Sequence, residues 1–194
     1  LYLNKKIRGA VVSDINEGPI ARAERNIAEF SCAGNIIPLL SDGLSKIDEY
    51  SPDTVFILGM GGELIANIIS KAEWLKEKRT RLVMQPMTHS EILRKYLFES
   101  GFEIIEEAIV EDGKIYQIFS AEYTGAVTAA SDLELRFGKI NLLRREPILL
   151  DALEREKNIL LARVEGRRIA GLDGGEDEEL LLKIDEYIRK GEKI

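Results

Sequence analysis

The spacing of apolar and polar residues changes character along the chain. In roughly the first two thirds, short β-rich runs alternate with helical periods, the signature of βαβ units and a parallel sheet. Gly9–Ser13, Asn35–Leu40, Asp53–Leu58 and Arg81–Gln85 are short, apolar and end in turn chemistry, as strands buried on both faces do. Between them, Pro19 suits a first helical turn, and Ile20, Ala23, Ile27 and Phe30 form one apolar stripe that stops at Gly34. Thr88-His89-Ser90-Glu91 has the form of a capping box, with Ile92, Tyr96 and Leu97 following at helical spacing before Gly101. Phe102–Val110 and Lys114–Glu122 are two extended runs joined through Glu111-Asp112-Gly113-Lys114, where Asp-Gly signals an antiparallel hairpin. After Gly125 the strand pattern ends. Ser131-Asp132-Leu133-Glu134 offers a second capping box, and Leu133, Phe137, Ile140, Leu150, Leu153, Leu160 and Val164 recur close to a seven-residue repeat. Pro147 divides this stretch, predicting one helix that ends near Arg145 and another that starts at Pro147. Arg167–Glu176 reads as a flexible turn and Asp177–Lys190 as an amphipathic helix through Leu180, Leu181, Ile184 and Ile188, so the tail is expected to be a coiled-coil-like helical hairpin.

Composition then bounds the class. The 194 residues, 45% hydrophobic and 31% charged with 5 prolines, suit one globular domain plus an appendage and exclude a disordered, collagen-like or disulfide-stapled chain. A net charge of −7, from 27 basic against 34 acidic residues, argues against a generic basic nucleic-acid coat, so an RNA partner would be held by a local patch. Cys32 is the single cysteine and forms no internal disulfide, which points to a cytoplasmic protein; no zinc site or other metal is expected. Apolar runs such as Thr54–Leu58 and Ile148–Leu150 are far shorter than the roughly 20 residues of a membrane helix, and no signal-peptide pattern opens the chain. A soluble protein is expected. Leu1-Tyr2-Leu3 resembles the interior of an apolar segment, so an N-terminal piece is expected to be missing.

In an open parallel sheet ligands bind beyond the carboxyl ends of the strands, which makes four short segments informative. Ser13-Asp14-Ile15-Asn16 follows the first strand: Asp14 can accept both hydroxyls of a ribose and Asn16 can add a hydrogen bond, or both can simply cap the helix near Pro19. Ser41-Asp42-Gly43-Leu44 follows the second; Asp42 can accept an adenine amino hydrogen with Gly43 letting the backbone approach, or the pair is a plain turn. Gly59-Met60-Gly61-Gly62 follows the third, a glycine density that suggests backbone pressed against a ligand; it lacks the Lys-Ser/Thr of a phosphate loop and fits the dinucleotide fingerprint poorly. Gln85-Pro86-Met87-Thr88-His89 follows the fourth. His89, the chain's one histidine, lies beside a helix start with no nucleophile spaced for it, and reads as a surface residue rather than a catalytic one. Trp74 and Tyr96 read as packing residues.

SDINEGP, SDGL, GMGG after a strand, and QPMTHSE, in this order with the EDGKIY hairpin and a helical tail, resemble the bacterial tRNA (adenine(22)-N1)-methyltransferase family over essentially the whole chain. The resemblance implies an α/β fold: a Rossmann-like class I methyltransferase sheet ending in an antiparallel hairpin, plus a C-terminal helical, coiled-coil-like domain. It divides the chain into an N-terminally incomplete S-adenosylmethionine-dependent domain, 1–125, and a helical hairpin domain, 126–194. It implies transfer of a methyl group from S-adenosylmethionine to N1 of a D-arm adenine, with Asp14 as ribose acid, Asp42 as adenine-amino acceptor and Gly59 to Gly62 as the wall near sulfonium and target base. Gln85 to His89 would border the pocket for the flipped base. The cofactor set is then Asp14, Asn16, Asp42, Gly43, Gly59, Met60, Gly61 and Gly62, and the catalytic set Gly59, Met60, Gln85 and Pro86. The family's first cofactor motif, a strand followed by an Asp-x-Gly-Ser/Thr-Asp-His-Ala stretch, is absent from these residues, so the sheet is expected to lack a central member.

Adenine N1 already carries a lone pair, so such a site mainly aligns the reactants and needs no general base before attack. A target on the Watson–Crick edge must first be extruded. Two basic clusters could hold tRNA phosphates: Lys76, Lys78, Arg79 and Arg81, and on the tail Arg144, Arg145, Arg163, Arg167 and Arg168; each is equally a solvated helix face. The alternatives are a methyltransferase for another substrate whose tail dimerises, and a non-catalytic RNA-binding or oligomerisation module. Monomer and homodimer both suit the tail pattern.

Overall fold

The computed structural model describes residues 1–191, which form two compact units. The first comprises Leu1–Asp53 and Asn67–Thr80, the second Thr54–Ala66 and everything from Arg81 onward.

In the first unit β1 (Ala10–Asp14) and β2 (Ile36–Leu40) pair in parallel, from Ala10 opposite Ile36 to Asp14 opposite Leu40, with α1 (Glu17–Glu29) as the crossover. The apolar stripe of α1 is only half-buried at Ile20, Ala23 and Ile27, and Phe30 lies exposed past the helix end. Cys32, Leu44, Ile47, Ile69, Ala72 and Leu75 are this unit's buried apolar residues. Thr80 and Lys78 tie its separate segments together: Thr80 Oγ1 donates to the Pro52 carbonyl at 3.1 Å, and Lys78 pairs with Asp48 while donating to Ser51 Oγ at 3.4 Å.

In the second unit β3 (Thr54–Gly61) and β4 (Arg81–Thr88) are parallel, and the hairpin of β5 (Phe102–Asp112) and β6 (Lys114–Tyr123) adds antiparallel, in the order β3-β4-β6-β5. The hairpin turns at Gly113, as Asp-Gly predicts, and its second strand is the one inserted beside β4. Val55, Ile57, Leu82, Met84, Phe119 and Ala121 bury one face of the sheet. The other face of β3 is open: Phe56 and Leu58 are 52% and 51% exposed, so this strand is covered on one face rather than two. The single parallel sheet expected from the sequence is therefore two sheets. Among the described residues β1 has no neighbour opposite β2, and β3 none opposite β4.

Helix α2 (Gly62–Ser70) follows β3, and α3 (Ser90–Glu99) follows β4. The capping box expected at Thr88 does not form, because β4 runs through Thr88 and the N-cap is His89, in the left-handed region at φ 53° with no side-chain cap. Leu93, Arg94 and Leu97 form the buried stripe of α3: Leu97 lies where the sequence pattern put it, while Leu93 and Arg94 take the place expected of Ile92 and Tyr96.

The tail begins with α4 (Asp132–Phe137), whose Ser131–Glu134 capping box forms as predicted. The helix expected to run on to Arg145 breaks at Gly138, φ 89°, giving a separate α5 (Lys139–Arg144); the Glu107 carboxylate occupies the place a side chain at 138 would need. α6 (Pro147–Ile169) starts at Pro147, and α7 (Gly175–Gly191) packs against it. Leu149, Leu153, Leu160 and Val164 are the buried seam of α6, with Leu149 in the place predicted for Leu150. Ile109 and Ile115 of the hairpin share a core with Phe137, Leu149, Leu153, Leu160, Leu180 and Ile184, so the tail helices pack on the β5–β6 hairpin as well as on each other.

Candidate functional site

The first unit presents two acidic loops side by side. Because β1 and β2 are parallel and in register, they end together, and the Ser41 N–H donates to the Asp14 carbonyl at 3.0 Å. Asp14 Oδ1 accepts the Asn16 N–H at 2.8 Å and Asn16 Nδ2 at 3.3 Å, leaving Oδ2 with no protein partner among the described residues. Asn16 is the N-cap residue of α1 yet its side chain caps nothing. Helix capping therefore does not account for this pair; it forms a tight turn that holds one carboxylate edge outward. Asp42 is exposed, with no side-chain bond among the described residues, and Gly43, φ 55°, lies against the Ile68 side chain. Two carboxylates with free lone pairs on adjacent loops suit the hydroxyl and amino donors of a nucleoside, so this acceptor set fits the nucleoside end of S-adenosylmethionine.

The second unit contributes the ends of β3 and β4. Leu58 pairs with Gln85 and Met60 with Pro86, so Gly59 is an extra residue bulged out of the parallel ladder, at φ 79° with open space where a Cβ would stand. Bulges of this kind often re-aim backbone beside functional sites. The Gly59 N–H donates to Gln85 Oε1 at 3.1 Å, while Gln85 Nε2 donates to the Pro86 carbonyl at 3.2 Å and contacts Met87 Sδ at 3.3 Å. Gln85 thus fixes the bulge and its own strand end at once, with Pro86 buried and Met60 partly exposed. The glycines at 61 and 62 have a different cause. A Cβ on Gly62 would overlap the His89 carbonyl, and one on Gly61 would crowd Thr88 Oγ1 at 3.3 Å. Glycine density here partly serves backbone packing within the protein, with only Gly59 facing open space. His89 Nδ1 lies 3.4 Å from Glu63 Oε1, tying the turn after β4 to the first turn of α2.

The tail arginines are all engaged. Arg144 donates to the Glu107 carbonyl at 3.0 Å, and Arg145 donates to the Tyr187 carbonyl while lying 4.2 Å over its ring. Arg163 pairs with Asp177, Arg167 with Asp173 and Arg168 with Glu178, around the α6–α7 turn. Their side chains stay about half exposed, so donors remain for an outside anion. In the other basic cluster Lys76 pairs with Glu73, and Arg81 with Glu122.

Residues 1–172 match the family described as TrmK: tRNA (adenine(22)-N(1))-methyltransferase. The chain belongs to that family. A Bacillus subtilis tRNA (adenine(22)-N(1))-methyltransferase is 32% identical over 139 residues, 71% of this chain and 58% of that protein, so the chain spans little more than half of this relative. Among solved structures, a Streptococcus agalactiae protein of the NADB-Rossmann superfamily superposes with a TM-score of 0.88 at 28% identity, covering 96% of this chain and 83% of that one. Sp1610 of Streptococcus pneumoniae, crystallised in complex with S-adenosyl-L-methionine, gives 0.82 at 26% identity, covering 96% and 84%. The fold of this TrmK-family chain is accordingly the α/β Rossmann-like methyltransferase fold, with its antiparallel hairpin and two packed C-terminal helices.

Sequence reasoning missed two features of this TrmK-family chain. One is the left-handed His89, for which the residue type gives only a weak signal, histidine being enriched at positive φ but still rare there. The other is a buried Arg94–Glu107 ion pair. A signal for it existed, since Arg94 sits between Leu93 and Leu97 on the apolar stripe of α3.

Proposed function

We propose that the TrmK-family protein containing this chain transfers a methyl group from S-adenosylmethionine to N1 of adenine 22 in tRNA, in the cytoplasm. What carries this reading is the family match over residues 1–172, joined to strand ends that offer nucleoside-binding acceptors and no nucleophile paired with a base. When bound, S-adenosylmethionine supplies an activated methyl on a sulfonium. Asp14, braced by Asn16, holds ribose hydroxyls, and Asp42 beside Gly43 accepts the adenine amino group. Gly59, Met60, Gly61 and Gly62 line the methyl-bearing end. Gly59 and Met60, with Gln85 and Pro86, shape the surface against which the extruded target adenine is held, and their rigidity serves alignment. N1 attacks with its own lone pair, so these residues orient and exclude water rather than move a proton. Residues 1–125 carry the chemistry. The helices of 126–194, as a coiled-coil-like domain, hold the tRNA backbone through the outward donors of Arg144, Arg145, Arg163, Arg167 and Arg168.

The test uses the intact open reading frame with labelled S-adenosylmethionine and unmodified tRNA transcripts, followed by nucleoside analysis. N1-methyladenosine at position 22 is expected, with Asp14→Ala and Asp42→Ala weakening cofactor binding. Measurable cofactor binding with no transfer to any tRNA would assign the enzyme another methyl acceptor.

A further inference from the structure

Arg94 is fully buried, whereas the other basic side chains among the described residues lie nearer the surface. Its Nε donates to Glu107 Oε1 at 2.9 Å, its NH1 donates to the Leu135 carbonyl at 3.0 Å and to the Arg136 carbonyl at 3.3 Å, and its guanidinium lies 4.4 Å from the centre of the Phe119 ring. Glu107 is equally occupied. Its Oε2 accepts the Ile140 N–H at 2.8 Å and its carbonyl accepts Arg144 NH1 at 3.0 Å. The pair therefore sits inside the break between α4 and α5. The cation meets the Leu135 and Arg136 carbonyls at the end of α4 and the anion meets the Ile140 N–H in the first turn of α5, each charge at the helix end whose partial charge it complements. Gln117 Nε2 and Ser90 Oγ also donate to the Arg136 carbonyl, at 3.0 and 3.5 Å, bringing β6 and the first residue of α3 to the same point.

Stability alone does not explain such a pair. A buried ion pair stabilises little compared with apolar residues of the same shape, and Arg94 NH2 has no partner, which adds cost. Burial pulls the guanidinium below its ordinary value, with Glu107 working the other way to keep it charged. What apolar residues would not supply is direction: this network fixes the angle at Gly138, and so the course of α4 and α5 relative to α3. Helix α3 in turn begins directly after the Gln85–His89 segment.

We propose that Arg94 and Glu107 are positioning residues, locking the C-terminal helices to the helix that follows the acceptor-side strand end, so that a tRNA held by the tail is presented in one orientation. The proposal rests on the functional reading given above. Its test is the isosteric double variant Arg94→Met/Glu107→Leu in the intact protein, which removes the charges and keeps the volume. The variant is expected to fold, to bind S-adenosylmethionine with unchanged Kd, and to show a KM for tRNA raised tenfold or more. A folded double variant with wild-type KM for tRNA overturns the proposal, and so does an equal loss of cofactor affinity. Arg94→Lys keeps the charge but cannot reach Glu107 and both carbonyls, and is expected to raise the tRNA KM several-fold; wild-type KM in a folded Arg94→Lys again overturns it. Spin labels at Lys95→Cys on α3 and Ile159→Cys on α6 give a readout independent of substrate. Their distance distribution is expected to be narrow in the parent and broad in the double variant, and equal widths refute the positioning role. A parent enzyme that methylates no tRNA refutes the functional reading instead, and the label distances then decide the positioning role by themselves.

Discussion

Gly59 and Gly62 stand three positions apart and are glycine for different reasons. At 62 the reason is steric: alanine would push its methyl into the His89 carbonyl, and neither α2 nor the turn after β4 can yield without shifting backbone. Gly62→Ala is expected to destabilise by about 1–3 kcal/mol, on the scale of core overpacking. At 59 the reason is conformational, since φ is 79° and the space is open; Gly59→Ala should cost only about 1 kcal/mol, the ordinary penalty of left-handed backbone for an L-residue. The two should then separate by assay. Thermal melts would show the larger loss in Gly62→Ala, while methyl transfer per folded molecule would fall more in Gly59→Ala, because its methyl enters the space beside the bulge. Equal melting points would contradict the packing argument. The sequence could show that three glycines crowd one junction, but not which faced protein and which faced space, because that depends on a carbonyl 27 positions away, at His89. Asp14 and Asn16 were similarly ambiguous: an N-cap and an outward carboxylate use the same residue types, and only the direction of the Asn16 amide distinguishes them.

Among elements, local signals were legible when their partners were close in sequence. Asp-Gly gave the β5–β6 hairpin, Pro147 the start of α6, and Ser131 with Glu134 a complete capping box. The similar pattern at Thr88 failed because strand pairing with Gly61 carried β4 through that residue, a long-range hydrogen bond that outweighed a local cap. The contacts of α7 with α4, α5 and α6 hold a pH response of their own. Lys157, chiefly through its bond to Asp185, and Lys183, chiefly through its bond to Asp132, are raised above the ordinary lysine value. Burial raises Tyr187, whose hydroxyl donates to the Leu142 carbonyl at 2.6 Å. All three folded values lie above the unfolded ones, so their contribution is complete below the unfolded pKa, near 10, and is lost as pH rises through the folded values. Helicity is therefore expected to hold through neutral pH and to fall on the alkaline side. In a tyrosinate absorbance titration one tyrosine should ionise later than the rest, and Tyr187→Phe should remove that late step. A titration unchanged by the substitution would show that the hydroxyl is free of Leu142.

For the whole molecule, the division that matters chemically differs from the one that matters for folding. The sequence marks a change of pattern near Gly125, where strands give way to helices, and a role boundary there is the natural reading. The core does not respect it. Ile109 and Ile115 of the hairpin pack with Phe137, Leu149, Leu153 and Ile184, and the Arg94–Glu107 pair takes its remaining partners from Leu135, Arg136 and Ile140. These contacts were illegible because they join a strand face to helices more than 20 positions further on, and no periodicity encodes which apolar stripe meets which strand. Deleting everything after Gly125 would expose the apolar hairpin face and strip a buried ion pair of its backbone partners, each alone costing about 1–3 kcal/mol. The shortened chain is expected to melt well below the parent and to aggregate, as seen by circular dichroism and light scattering, rather than persist as an independent cofactor-binding domain. A shortened chain that melted as sharply and as high as the parent would show that the tail packs on the sheet without supporting it, and would return the folding boundary to Gly125.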